Sequence, residues 1–271
     1  MAYEPLTYCQ MPTIRGTKEW AVAEINCSFG CPYNCRYCYA RTAALKHGLI
    51  DSPDQWTQSQ VLVEEVTRIH PHYQGQVMFP TAHDLTDENL YAALTVINNL
   101  LAADNRVLIV SKPSLSCIET ICRRFADQKQ KIVFRFTITA RNPQILSFWE
   151  PGAPAYQERL KALECSYRQG FSTSVSIEPV LDMSDLEGLV EELEPYVNHS
   201  IWIGKMNRIQ QRVIIDSDQI AAEIKRIRKE QQDGEIENMY QRLRHKPLIR
   251  WKESIKEIVG LPLSTQLGQD K

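Results

Sequence analysis

Gly30-Cys31-Pro32-Tyr33-Asn34-Cys35-Arg36-Tyr37-Cys38-Tyr39-Ala40-Arg41 is the stretch on which the reading of this chain turns. Three cysteines stand in C-x3-C-x2-C spacing, and Gly30 and Pro32, both breakers of regular structure, mark the run as a loop. Such a loop can bring three thiolates together, and it supplies only three. A structural or electron-transfer four-iron cube is normally held by four cysteines. A cube held by three leaves one iron with an open position, and open positions on metals are where substrates bind.

Two plainer uses compete. A structural zinc site wants a second Cys or His pair. Cys117 and Cys122 instead lie five apart in a helical pattern, and His70 and His72 flank Pro71 with no cysteine nearby. A disulfide framework fits poorly, because eight cysteines are few for 271 residues. The start, Met1-Ala2-Tyr3-Glu4-Pro5, lacks the basic and apolar regions of a signal peptide, and no stretch approaches the ~20 apolar residues of a membrane span. A reducing, cytoplasmic setting without a membrane is expected. The formal charge of −2 gives no global attraction to nucleic acid, and 43% apolar residues can fill one large core.

Outward from the loop, strand-like and helix-like segments alternate. Strands are expected at Trp20–Asn26, Gln76–Phe79, Val107–Val110, Ile132–Thr137 and onward to Thr139, Ser172–Ile177 and Ile201–Ile203. Helical spacing covers Tyr39–His47, Gln58–Ile69, the stretch after Thr86, Ser114–Phe125, Pro143–Phe148, Tyr156–Arg168 and Asp185–Leu193. Six alternations imply right-handed βαβ units and a parallel sheet. The expected fold is α/β: a partial (β/α)6 TIM-type barrel of parallel strands with a helical C-terminal extension; a doubly wound open sheet is the alternative. Residues 1–18 read as an irregular lead-in, 19–207 as the core and 208–271 as the extension.

Function is then expected at the C-terminal ends of the strands. The first strand delivers the cysteines, and the others end near Thr81-Ala82-His83-Asp84, Ser111-Lys112, Thr137, Ser176-Ile177-Glu178 and Lys205-Met206-Asn207. Glu178 closes an apolar run, where a buried carboxylate needs a partner. Arg135 is one candidate for it. Cys117, Cys122 and Cys165 read as small packing residues on helices. Cys27 lies near the loop and reads as structural, and Cys9 in the lead-in is unassigned.

The cysteine run resembles the cluster-binding loop of radical S-adenosylmethionine (SAM) enzymes, C-x3-C-x-aromatic-C, with Tyr37 in the aromatic slot. The resemblance implies a [4Fe–4S] cluster on Cys31, Cys35 and Cys38, with SAM on the fourth iron, and reductive cleavage to a 5′-deoxyadenosyl radical that abstracts hydrogen from substrate. It also implies an electron donor such as a flavodoxin or ferredoxin. Tyr37-Cys38-Tyr39-Ala40-Arg41, Glu150-Pro151-Gly152-Ala153-Pro154 with Glu158-Arg159, Val110-Ser111-Lys112 and Ser174–Val180 are similar to the spore photoproduct lyase-like branch. On that likeness Tyr37 and Tyr39 border the adenine, and Thr81, Lys112, Thr137 and Glu178 contact SAM or substrate. The second strand lacks the hydrogen-donating cysteine of the lyase, and the acidic partner for the SAM amine is not obvious, Asp84 being the nearest carboxylate.

The branch makes nucleic acid the first substrate guess. Basic residues after Ile209, with Tyr240 and Trp251 as stacking groups, could serve it, although interspersed acids make a solvated helical face the usual reading. A monomer is expected. The competing function is a non-catalytic iron–sulfur sensor or nucleic-acid-binding module, which needs a fourth ligand, with Cys27 the candidate.

Overall fold

Seven parallel strands make one sheet, in the spatial order Ala23–Glu24, Gln76–Phe79, Arg106–Ser111, Ile132–Thr137, Ser172–Ile177, Ser200–Ile203 and Ile249–Trp251. The structure, a computed structural model, describes residues 13–269. The strands are β1 (Ala23–Glu24), β2 (Ser28–Phe29), β3 (Gln60–Val61), β4 (Gln76–Phe79), β5 (Arg106–Ser111), β6 (Ile132–Thr137), β7 (Ser172–Ile177), β8 (Ser200–Ile203) and β9 (Ile249–Trp251). Between them run α1 (Tyr39–Lys46), α2 (Val63–Thr67), α3 (Leu90–Ala102), α4 (Leu115–Arg124), α5 (Pro143–Trp149), α6 (Tyr156–Arg168), α7 (Leu186–Leu193), α8 (Ile209–Arg212), α9 (Asp218–Glu230) and α10 (Asp233–Leu243), and α11 (Glu253–Val259) follows β9. β2 and β3 pair separately as an antiparallel ribbon.

Parallel strands must be covered on both faces, so they read as continuous apolar runs. Val107, Leu108 and Ile109 of β5 are all fully buried. The pleat sends alternate residues opposite ways. Val77, Phe79, Val107, Ile109, Phe134 and Phe136 join the core shared with the helices. Met78, Leu108, Val133 and Trp202 meet Trp20 on the other face. That second cluster floors the barrel interior, with Trp20 and Trp202 edge to face at 5.6 Å. Arg135 lies there, 4.5 Å from the Trp20 ring, and donates to Ser174 Oγ at 2.9 Å.

This is the expected α/β architecture of a partial parallel barrel with a largely helical extension. Several details differ from the reading above. The first strand, expected over Trp20–Asn26, is only Ala23–Glu24, and the strand expected to reach Thr139 ends at Thr137. The extension adds a seventh strand, β9, on the edge of β8. Gln58–Ile69 is not one helix; it divides into β3 and the single turn of α2. Tyr240 and Trp251 pack on each other with ring centroids 5.2 Å apart, and Trp251 is buried in the core, so it is no surface for stacking bases. Two of the three helix cysteines behave as expected: Cys117 and Cys122 are fully buried on α4, whereas Cys165 on α6 is half-buried. Cys9 lies outside the described residues.

Candidate active site

At the C-terminal ends of the strands lies a cavity of about 360 Å³. Its lining brings together Cys31, Cys35, Cys38, Tyr37, Tyr39, Thr81, Lys112, Thr137 and Glu178, every site residue named from the sequence. The β1–α1 connection supplies the cysteines because α1 begins directly after Cys38, whose Sγ accepts the Arg41 N–H at 3.4 Å as a helix N-cap. Arg41 braces the loop from the helix, donating to Asn34 Oδ1 at 2.6 Å and Arg36 O at 2.9 Å. No group of three His, Cys, Asp or Glu side chains among the described residues stands in ion-binding geometry. Burial, followed by the nearby Asp84 charge, pushes the Cys31 thiol up to about 12.

Asp84 organises this end of the cavity. Its Oδ1 accepts Ser111 Oγ at 2.9 Å and the Lys112 N–H at 2.6 Å, and its Oδ2 lies 3.4 Å from Lys112 Nζ and 3.8 Å from Cys31 Sγ. Burial works against the Lys112 ammonium, but Asp84, Cys35, Tyr37 and Glu150 outweigh it and hold the pKa well above the ordinary lysine value. His83 ties the adjoining segments together. Its Nδ1 faces Asp84 O at 3.0 Å and therefore carries the proton, while Nε2 accepts the N–H groups of Cys27 and Ser28 at 3.1 and 3.2 Å. Asn26 holds Thr81 in the same way, donating to its Oγ1 at 2.7 Å and accepting its N–H at 2.9 Å.

Cys27 turns elsewhere. It is fully buried, with Sγ 3.7 Å from His83 Nε2 and 3.9 Å from Ser28 Oγ, and burial raises its thiol to about 11.

Another stretch of the lining, reaching Tyr39 through Arg212, is differently made. Glu178 and Arg212 line it with Lys205, Asn207, Lys252 and Glu253. Arg135 is not the partner of Glu178; the nearby charges are Lys252, Glu253, Glu19 and Arg212, and burial pushes the Glu178 carboxyl up to about 7. Gly204 backs this side chain so closely that a Cβ there would lie 2.9 Å from the Glu178 carboxyl carbon. Lys252 is committed to Glu19 at 2.6 Å and to Gly16 O at 2.9 Å. Arg212 sits 5.9 Å from the Tyr39 ring centroid, and burial lowers its pKa. Sequence reading passed over Arg212, because nothing local marks a short helix after the last core strand as part of the cavity wall. Asp84 was visible as a carboxylate after the second strand, but its contacts with Ser111 and Lys112 were not.

A family profile described as the radical SAM superfamily matches residues 25–193, from the residue after β1 to the end of α7. The chain belongs to the radical SAM superfamily. A curated relative, the "Uncharacterized protein MJ0683" of Methanocaldococcus jannaschii, is 23% identical over 181 residues, which span 64% of this chain and 66% of that protein. Among solved structures, a spore photoproduct lyase mutant with bound AdoMet and dinucleoside spore photoproduct is similar at TM-score 0.54 and 15% identity, covering 90% of this chain and 79% of that one. Streptococcus suis SuiB bound to S-adenosylmethionine is similar at TM-score 0.53 and 9% identity, covering 91% and 54%. At these identities the two structures speak for a shared radical SAM fold. No helix among the described residues is long and apolar enough to cross a membrane.

Proposed function

We propose that this superfamily member is a radical SAM enzyme in which Cys31, Cys35 and Cys38 hold a [4Fe–4S] cluster and SAM takes the open iron. The observation that carries the reading is the meeting of a loop of three thiols with the Asp84–Lys112 pair in one cavity. The donor set fits the group: three sulfurs from one loop line the space, and Cys27, the candidate fourth ligand, is held against His83 instead. That placement favours the enzyme over a four-cysteine redox or nucleic-acid-binding module. Bound together, the cluster and SAM supply one-electron reductive cleavage and hydrogen-atom abstraction.

The chain's own groups bind and orient. Asp84, already fixed through Oδ1, offers Oδ2 to an ammonium, and Lys112 offers its charge to a carboxylate. Tyr37 and Tyr39 border the adenine, with Tyr39 anchored through its OH to Thr81 O. Thr81 and Thr137 add polar contacts from the ends of β4 and β6, on either side of β5. Walls of Trp56, Pro80 and Ala82 limit water around the reacting atoms.

The other end would take the substrate, with Glu178 and Arg212 as its contacts. Neither makes a side-chain hydrogen bond or ion pair with a described residue, so one carboxyl and one guanidinium face the cavity. A ligand offering both a donor and an acceptor suits them. A flavodoxin or ferredoxin in a reducing compartment would supply the electron. Anaerobic reconstitution with iron and sulfide, then reduction in the presence of SAM, is expected to release 5′-deoxyadenosine. Its absence from fully loaded protein would overturn the reading.

A further inference from the structure

The segment from Phe148 to Arg159 lies outside the cavity wall, yet it grips the back of the cysteine loop residue by residue. We propose that this segment is a mould that holds the loop in its ligand-bearing shape before any cluster arrives, with Glu150 as the positioning residue acting through Tyr37. What the loop carries rests on the function proposed above; how it is shaped rests on polypeptide contacts alone.

The backbone contacts come first. The last carbonyls of a helix lack partners within it. Here α5 ends at Trp149, and Arg36 takes two of these carbonyls: its N–H donates to Trp149 O at 2.9 Å and its Nε to Phe148 O at 2.7 Å. A cation at a helix C-terminus is also favoured by the helix dipole. The Arg36 guanidinium lies 4.8 Å from the Phe148 ring centroid. The Gly152 N–H donates to Tyr33 O at 3.0 Å. The two segments meet so closely that a Cβ on Gly152 would stand 2.4 Å from Pro32 O and 2.9 Å from Tyr33 Cα. Only glycine permits this fit.

Glu150 then fixes the side chain between the second and third cysteines. It is 2% exposed, and a carboxylate so buried persists only with several partners. Arg159 NH1 lies 2.6 Å from its Oε2, and Thr139 Oγ1 donates to its Oε1 at 2.8 Å. The Tyr37 OH donates to the same Oε1. Arg159 is itself held by Pro154 O at 2.7 Å and Thr137 O at 3.3 Å. Thr139 and Arg159 belong to the barrel, following β6 and on α6; Tyr37 is the one partner contributed by the loop. The carboxylate is thus fixed by the scaffold, and the tyrosine is fixed by the carboxylate. In small metal-folded domains the ion supplies the order. Beside the local bracing by Arg41, this loop draws order from residues more than a hundred positions downstream.

Amide hydrogen exchange on the metal-free protein tests the proposal, comparing peptides covering residues 31–41 with those covering 106–111 of β5. In the parent chain the loop amides are expected to be protected. Tyr37→Phe keeps the ring and the Glu150–Arg159 pair, and is expected to speed loop exchange by about tenfold, the effect of losing one charge-assisted hydrogen bond, with β5 unchanged. Thr139→Val removes a different hydrogen bond from the same carboxylate and should leave the loop within about twofold of the parent. Glu150→Gln should loosen the loop at least as much as Tyr37→Phe. Loop amides unprotected in the parent chain would overturn the proposal, as would loop and β5 amides moving together in the variants, or Thr139→Val matching Tyr37→Phe. Iron content after reconstitution separates the two readings: a protected loop that takes up no iron leaves the mould standing and removes the cluster, while an unprotected loop that loads fully does the reverse.

Discussion

The two ends of the cavity are built on opposite plans. At the cysteine end nearly every polar group is already committed: Asp84 to Ser111 and Lys112, Tyr37 to Glu150, Thr81 to Asn26, and His83 to the backbone of Cys27 and Ser28. At the far end Glu178 and Arg212 make no side-chain hydrogen bond or ion pair with a described residue, Arg212 standing near the Tyr39 ring, and burial disfavours the charged form of each. The first plan is preorganisation, which lowers the ordering cost of binding one fixed ligand. The second keeps two charges that a ligand can still satisfy. A cofactor common to a superfamily suits the first plan, and a substrate particular to this chain suits the second.

The largest expected effect breaks the cysteine end outright. Cys35→Ala should abolish stable cluster assembly, read as loss of iron and of the visible absorption after reconstitution, while the far-ultraviolet dichroism of the metal-free chain stays that of the parent. Near-parental iron content would show that the loop is not the cluster's ligand. Next in size is Arg159→Met. Burial alone would raise the Glu150 carboxyl, but Arg159 foremost, then Lys112, Tyr37 and Thr139, hold it below its ordinary value. Removing the guanidinium strands a buried charge, expected to cost about 3–5 kcal/mol in urea unfolding. A cost under about 1 kcal/mol would mean that the pair is not what secures this end.

How much of this was legible in the chain follows from sequence distance. The cysteine loop is contiguous, so its spacing declared both a three-ligand site and the place where α1 begins. The parallel sheet was equally visible, because β5 and β8 are largely apolar, β6 and β7 alternate apolar with polar residues toward their C-terminal ends, and helical spacing separates them. Of the far end only the strand-end residues were visible, Glu178 and Lys205-Met206-Asn207; Gly16 and Arg212 join them only in the closed fold. β9 escaped because three residues, Ile249-Arg250-Trp251, carry too little pattern to stand out from charged helices. Glu150-Pro151-Gly152 was conspicuous as a motif, but its contacts with Tyr33 and Tyr37 span more than a hundred residues, and no local pattern encodes them.

The far end can be sharpened by pH. The folded chain holds the Glu178 proton up to about 7, against an ordinary value of 4.5. Between those values the folded state binds more protons than the unfolded state, so stability falls as pH rises through the interval. The contribution is whole below about pH 4.5 and gone above about pH 7. Glu178→Gln removes this slope. It should match the parent near pH 4 and exceed it by about 1–3 kcal/mol at pH 8, measured as urea midpoints across the range. Parallel pH profiles for the two proteins would mean that Glu178 is satisfied after all and that the ends do not differ in the way described.

The smallest expected effect concerns the cysteine that stands nearest the loop without joining it. Cys27 fills a closed space beside His83 and Ser28, so Cys27→Ala loses one sulfur's worth of packing, about 1 kcal/mol. His83 would still accept the backbone N–H groups of residue 27 and Ser28, which do not depend on the side chain. Iron content after reconstitution should therefore equal that of the parent, and added SAM should still perturb the spectrum of the reduced cluster. A four-cysteine redox protein requires the contrary on both counts: iron lost with Cys27, and a parent spectrum that ignores SAM. The small packing cost is what makes the substitution discriminating, since a chain this little disturbed can lose its cluster only if Cys27 was holding it.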